Sequence, residues 1–284
     1  MAITFAFLSS LCFGIAHVSA SVGLRSLDPR SGAAISIPTA TLLLAAAAPF
    51  ALDLSQFSAT AATLFALVGL FFPAVVTLLN FRSNELLGPT VTSTVSGTTP
   101  LFALVAAALL LGEKIPSHAA AAAVGVLIGI ALLSWHPGGV RRFSGWSLGW
   151  AFLGAVVRAL AQVGARAALL LWPNPFAASL IGYAVSSVTV VSADRLRRSQ
   201  RMRATPRSFV WFGITGALNG AAVLLMYAAL TKAPVAIVAP IVAAYPVVTA
   251  LVSAIALREE TVTVRALLGS AITVAAIVYL VVSR

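Results

Sequence analysis

Two ionisable side chains lie deep inside long apolar stretches of this sequence, and both have chemistry to offer there. Arg158 is a permanent cation that can hold a carboxylate through two parallel hydrogen bonds, and His17 can exchange a proton near neutral pH. An Arg at the centre of a membrane-spanning helix costs about 2.5 to 3.5 kcal/mol on insertion scales, so one that persists is a candidate functional group. Each residue also has a structural alternative. The cation could be held by backbone carbonyls of a neighbouring helix, and the imidazole could be neutral and hydrogen-bonded within a bundle.

Other polar and aromatic side chains of the apolar stretches could line the same site. Ser21 shares a helix face with His17, and Gln162 shares one with Arg158, because residues four apart lie on one face of a helix. An aromatic wall would suit a solute with an apolar part. For the hydroxyls among these candidates, the alternative is interhelical hydrogen bonding with close packing. The candidate substrate-binding residues are His17, Ser21, Asn80, Thr92, Ser96, Thr99, Trp150, Arg158, Gln162, Asn219, Tyr227 and Tyr245.

The carboxylates are placed quite differently from these residues. All seven lie in loops or at the ends of apolar stretches: Asp28, Asp53, Glu85, Glu113, Asp194, Glu259 and Glu260. An exporter of lipophilic cations usually needs an embedded carboxylate for which cation and proton compete. A small solute that bears a carboxylate fits Arg158 better. A phosphorylated sugar or other metabolite, or a drug, remains the alternative cargo, although a phosphate usually needs more than one deep Lys or Arg.

Catalytic and metal-binding constellations are missing from the sequence. The three histidines, His17, His118 and His136, are scattered, and Cys12 is the only cysteine. Neither a Ser-His-Asp arrangement nor a set of metal ligands can be assembled within the apolar stretches. We therefore predict that the protein is not an enzyme and has no cofactor or metal.

The composition of the whole chain is strongly apolar. Hydrophobic residues make up 60% of the 284 residues, charged residues 9%, and the mean hydropathy is +1.03, which is typical of an integral membrane protein. The net charge of +11 would suggest nucleic acid in a soluble chain. Here the basic residues lie almost entirely in short loops beside apolar stretches, where they set orientation. No nucleic-acid partner is predicted, and the uncharged start of the chain is kept as the first helix.

The hydropathy pattern predicts ten membrane spans. They cover residues 2–23, 32–51, 59–81, 90–112, 117–135, 145–168, 175–193, 208–230, 235–257 and 262–282. The loops between them are short and rich in turn residues, and none could hold a soluble domain. The predicted fold class is an all-α membrane protein with ten transmembrane helices.

The sequence also repeats itself. Pro100 precedes Glu113 by the same 13 residues that separate Pro246 from Glu259. The segment Val22-Gly23-Leu24-Arg25 is echoed 141 residues later by residues 163–166, and the same offset relates His17 to Arg158. We therefore predict two tandem halves, residues 1–143 and 144–284. Five spans in each half make the second half inverted relative to the first, an arrangement that implies alternating access to a central cavity.

These features resemble the ten-helix EamA-type carriers of the drug/metabolite transporter superfamily, over the whole chain. The resemblance rests on the two halves and on the Pro-bearing fourth helix of each, which ends in Leu-x-Glu; the overall sequence is most similar to exporters of aromatic amino acids. It implies a basket of helices one to four and six to nine, with helices five and ten outside. It also implies export of aromatic and other neutral, hydrophobic amino acids across a bacterial inner membrane. The expected partners are this small-molecule substrate and membrane lipids, and a monomer would suffice.

Two further predictions concern helix shape and orientation. Pro73, Pro100, Pro240 and Pro246 lie inside predicted spans, where proline removes a backbone hydrogen bond and bends the helix, so these bends are candidate gates. Thirteen Lys and Arg residues lie in or beside the odd-numbered loops, against four beside the even-numbered loops and the tails. We therefore predict cytoplasmic odd-numbered loops and periplasmic termini. This departs from the family pattern, whose basic second loop is replaced here by residues 53–58 without Lys or Arg.

Overall fold

The computed structural model describes residues 1–133, 145–195, 205–256 and 264–283, and these residues form thirteen α-helices and no strand. In chain order the helices are α1 (Ala2–Leu24), α2 (Pro29–Ala51), α3 (Ala59–Phe71), α4 (Ala74–Leu87), α5 (Pro89–Ser96), α6 (Thr99–Leu111), α7 (Ser117–Leu133), α8 (Gly145–Leu171), α9 (Pro175–Arg195), α10 (Pro206–Lys232), α11 (Val235–Val242), α12 (Tyr245–Ala256) and α13 (Val264–Val282).

The thirteen helices correspond to the ten predicted spans. Seven helices or joined helix pairs among the described residues are long and apolar enough to cross a membrane, and shorter apolar helices supply the rest. The protein is thus an all-α membrane protein built from two inverted five-helix repeats around a central cavity. The predicted boundary between the halves, at residue 143, lies outside the described residues.

Three of the spans are broken in two. The third span is interrupted at Phe72 and Pro73, the fourth at Gly97 and Thr98, and the ninth at residues 243 and 244. Pro100 and Pro246 lie in the first turn of the helix that follows each break, where a proline lacks only an N–H that would be unpaired anyway. Pro240 differs, because it lies inside α11.

The end of the third span differs from the sequence prediction for a physical reason. The third span was predicted to end at residue 81, where charged residues begin, but α4 continues to Leu87. Arg82 and Glu85 are exposed on this last turn and form an ion pair with each other, while Asn84 is buried and donates to the His17 carbonyl at 3.1 Å. A charged residue ends the part of a helix that lies in lipid, and the helix itself can continue.

Helices of the bundle pack most closely where small residues face each other. In α10, Gly216 lies against the Ser36 backbone and Gly220 against Ala40, so α10 and α2 approach closely. Gly125 of α7 meets Ala276 of α13 in the same way. α7 and α13 pack mainly against each other. They are the fifth and tenth spans, which the resemblance placed outside the basket, and the described lining of the cavity comes from spans one, three, six, seven and eight.

Candidate functional site

Arg158 lies on α8 in a cage of aromatic rings. The side chain is only 4% exposed, and its guanidinium carbon lies 4.9 Å from the ring centre of Phe13, 5.6 Å from that of Tyr245 and 5.8 Å from that of Phe72. These distances are those of cation–π contacts. Phe13 comes from α1, Phe72 from the α3–α4 break and Tyr245 from the start of α12, so three elements converge on the cation.

The hydrogen-bonding capacity of Arg158 is largely unused. Its Nε and Nη1 atoms are buried without a hydrogen-bond partner among the described residues. Aromatic faces attract the charge but cannot accept these N–H groups as a carboxylate would. Leaving a buried donor unpaired costs about 1 to 3 kcal/mol, and more when the group is charged. The site therefore contains a cation with two donors ready for an acceptor.

His17 lies beside the same cage. Its imidazole stacks on the Tyr245 ring, with ring centres 5.1 Å apart and planes inclined by 14°. The side chain is buried, and its backbone carbonyl is held by Asn84 of α4. Tyr245 thus contacts both the imidazole and the guanidinium of Arg158.

A cavity runs along this cluster. Its free volume, part of which opens to solvent, is about 400 Å³, but it is narrow, with room for about one water molecule and not for a solute. Five of the sequence candidates line it: His17, Pro73, Asn80, Arg158 and Asn219. The remaining lining residues are Phe13, Ala16, Ala20, Phe72, Val76, Thr77, Phe81, Tyr183 and Val223, and no carboxylate is among the described lining residues.

The break between α3 and α4 shapes one wall of the cavity. It turns Phe72 toward Arg158 and leaves backbone groups of both helices without partners in their own helix. Ser186 of α9 satisfies two of them, because its hydroxyl donates to the Gly69 carbonyl and accepts from the Ala74 N–H at 3.1 Å. The break is therefore supported by hydrogen bonds from a helix of the other half.

The predicted hydroxyls of the fourth span are buried next to this wall. Ser96 donates to the Asn80 side-chain carbonyl at 3.3 Å, and Thr99 donates to the Ser96 carbonyl at 2.6 Å. Thr92 is fully buried, and its hydroxyl has no partner among the described residues. Ser96 is therefore linked to the cavity through its hydrogen bond to Asn80, whereas Thr99 bonds across the α5–α6 break to the last residue of α5.

The other sequence candidates lie away from the cavity wall. Gln162 is buried and donates to the Met226 sulfur at 3.4 Å, and the neighbouring Tyr227 is also buried. Ser21 is partly exposed and donates to the Val18 carbonyl of its own helix. Trp150 is 39% exposed on the outside of the bundle.

Sequence reasoning missed Phe13, Phe72 and Tyr183. Phe13 lies one helical turn before His17, and Phe72 precedes a proline inside a span. The position of each in the sequence could therefore have suggested that it lies near the site. Tyr183 is 2% exposed, lines the cavity, and has a buried hydroxyl without a partner. The sequence signal that could have identified it is that it is the only tyrosine of the seventh predicted span and lies near its middle.

A polar cluster, which we call the seal, joins helix ends on the face where α1 begins, which we call the terminal face. Gly112 has a left-handed φ of 63° that ends α6 and directs the chain to Glu113. The Glu113 carboxylate accepts from the Val235 N–H at 3.0 Å and lies 3.5 Å from Nε of Arg166. Arg166 donates to the Leu230 carbonyl. The seal, formed by Glu113, Arg166, Leu230 and Val235, thus joins the two halves of the protein.

This architecture, a helical membrane bundle of two inverted halves with a buried polar cavity between them, defines a membrane carrier. A sequence model of the EamA-like transporter family matches residues 1–135 and again residues 145–282. The chain therefore belongs to the EamA-like transporter family, whose members are transporters of small solutes and not enzymes. No curated protein is similar enough to match the chain. A protein of known crystal structure has the same fold, with a TM-score of 0.79. The two chains are 16% identical, and the match covers 99% of this chain and 96% of the other.

Proposed function

We propose that the protein exports small carboxylate-bearing metabolites, with aromatic and other neutral, hydrophobic amino acids as the substrate class. One observation carries the proposal: the buried guanidinium of Arg158 has two unpaired donors and lies against the rings of Phe13, Phe72 and Tyr245. A carboxylate satisfies the donors, and an apolar or aromatic side chain suits the rings. Membership of a family of small-solute transporters is compatible with the same class.

The alternative cargoes fit the cavity less well. A lipophilic cation would meet the Arg158 charge, and no carboxylate among the described lining residues would offset it. A phosphorylated sugar carries about two negative charges at neutral pH, whereas Arg158 is the only Lys or Arg among the described lining residues. We therefore retain a substrate with one carboxylate.

We propose further that transport proceeds by alternating access. The cavity extends from the middle of α1 toward its far end, from Phe13 to Ala20, and along α4 as far as Phe81. The seal around Glu113 and Arg166 closes the terminal face instead. Because the cavity is too narrow for a solute, the helices around it must separate before a substrate enters. The broken helices beside Pro73, Pro100 and Pro246 are the candidate hinges, and Pro240 inside α11 is a fourth.

Counterflow in proteoliposomes tests the substrate proposal. The purified protein, reconstituted with internal phenylalanine, should accumulate radiolabelled phenylalanine, leucine and tryptophan transiently. Arg158→Ala should lower the rate per folded molecule at least tenfold, about the loss of one charge-assisted hydrogen bond. Arg158→Lys should restore little, because a compact ammonium does not reproduce the planar fork of a guanidinium.

The controls separate a substrate role from a structural one. Rates are normalised to the amount of detergent-stable protein, and Cys12→Ala, outside the cavity lining, should behave as wild type. If Arg158→Ala reduces the yield of folded protein but leaves the normalised rate unchanged, Arg158 is a structural cation. If the wild-type protein shows no counterflow with any neutral amino acid, the proposed substrate class is wrong.

A further inference from the structure

Tyr183 is the third buried, unpaired donor of the cavity, and the transport proposal does not use it. Its hydroxyl has no hydrogen-bond partner among the described residues, although the side chain is 2% exposed and lines the same cavity as Arg158. A buried phenol normally finds a partner. An unpaired one that faces a cavity is therefore explained by an acceptor that arrives with a ligand.

The position of Tyr183 is fixed from two sides. Its backbone carbonyl accepts from the Thr41 hydroxyl at 3.0 Å, which ties α9 to α2. The preceding residue, Gly182, faces Gly69 of α3 so closely that a Cβ at Gly69 would lie 2.8 Å from the Gly182 carbonyl oxygen. Ser186, one turn later, holds the α3–α4 break. The phenol is thus placed by rigid helix contacts.

A carboxylate has enough acceptor positions for all three donors. Its two oxygens offer about four lone-pair positions, of which a guanidinium uses two and leaves the others free. We propose that Tyr183 donates its hydroxyl to the carboxylate that Arg158 binds, so that the two residues form one three-donor site for a substrate carboxylate. This inference rests on the proposed function, since it requires a carboxylate at Arg158. It assigns Tyr183 to recognition of the acid end of the substrate and not of its amino group.

The test uses Tyr183→Phe, which removes only the hydroxyl, and two ligands that differ in the amino group alone. Phenylalanine and 3-phenylpropionate are compared by the concentration of each that half-inhibits counterflow of labelled phenylalanine. Tyr183→Phe should raise both values by the same factor, about tenfold or more for the loss of a hydrogen bond to a charged group. Tyr279→Phe, a matched change at a half-exposed tyrosine of α13, should change neither.

Other outcomes would overturn the assignment in distinguishable ways. A rise for phenylalanine alone would mean that the phenol contacts the ammonium group. Unchanged values in folded Tyr183→Phe protein would mean that the hydroxyl contacts no part of the substrate. Wild-type protein that transports phenylalanine but ignores 3-phenylpropionate would place recognition at the amino group, and would also count against the inference. Failure of the proposed function looks different, because the wild-type protein itself would then show no counterflow.

Discussion

Removing Glu113 should open the terminal face of the protein. In the seal, this carboxylate accepts from the Val235 N–H at 3.0 Å and lies 3.5 Å from Nε of Arg166, and the two charged side chains are 13% and 15% exposed. Val235 is the first residue of α11. The residue before it, Pro234, makes no side-chain hydrogen bond that would cap this helix. Glu113 therefore acts as the cap of α11 from a different half of the chain.

The magnitude follows from the two contacts. At 3.5 Å the pair with Arg166 is an ionic contact, and its partial burial places it between an exposed pair, worth about 0.2 to 1 kcal/mol, and a buried one, whose disruption costs about 3 to 5 kcal/mol. We take about 2 kcal/mol, and add about 1.5 kcal/mol for the backbone hydrogen bond to a charged acceptor. Glu113→Ala should thus weaken the sealed conformation by about 3.5 kcal/mol, more than a hundredfold in population. Glu113→Gln keeps an acceptor for the Val235 N–H but loses the ionic contact of about 2 kcal/mol, and should therefore lower the population of the sealed conformation about thirtyfold.

Cysteine labelling measures this opening directly. In a Cys12→Ala background, Ala236→Cys introduces a thiol that is buried behind the seal, since Ala236 is 1% exposed. A membrane-impermeant thiol reagent added from the terminal face should label it much faster after Glu113→Ala. Glu85→Gln is the matched control, because the Glu85–Arg82 pair is exposed and lies within one helix. Equal labelling rates in folded Glu113→Ala protein and its parent would refute the assignment of a seal.

Two further predictions concern the hinges and the orientation. Pro100→Ala and Pro246→Ala should each slow counterflow, because continuous helices would replace the hinges, and unchanged rates in folded protein would make these prolines static shape elements. A reporter that is active only in the cytoplasm should be silent when fused after Arg284, because the charge bias of the loops predicts periplasmic termini; an active fusion would reverse the orientation.

The sequence was sufficient for the fold class because hydropathy reports directly on the lipid environment. Uncharged stretches of about twenty residues identify spans, since a helix rises 1.5 Å per residue across a hydrocarbon core of about 30 Å. The same signal could not locate the helix breaks. Gly97 and Thr98 interrupt the fourth span before Pro100, whereas Pro38 lies inside an unbroken α2. Whether a helix breaks depends on partners for the freed backbone groups, such as Ser186, and those come from distant parts of the chain.

The part of the candidate site that could be predicted from sequence consists mostly of ionisable and polar side chains, namely His17, Asn80, Arg158 and Asn219. Arg158 and His17 stand out in any span because ionisable groups there are costly, and both line the cavity. Trp150 was a candidate on residue type alone, and it is exposed. Phe13 and Phe72 contact Arg158, but their residue type alone does not distinguish them from the other phenylalanines of the membrane spans. Their role depends on which face of each helix turns inward, and residue type alone does not determine that.

The two halves share one architecture, but they place different side chains at equivalent positions of the site. At the 141-residue offset, His17 of the first half corresponds to Arg158 of the second, so only one half places a permanent charge on the cavity. At the 146-residue offset that relates Pro100 to Pro246, Thr99 corresponds to Tyr245. The threonine bonds across the α5–α6 break, while the tyrosine ring contacts both Arg158 and His17. Two inverted halves can exchange conformations because they share a backbone plan. Under the proposed mechanism, the carboxylate would remain bound to the second half throughout that exchange, and the first half would supply the surface that moves past it.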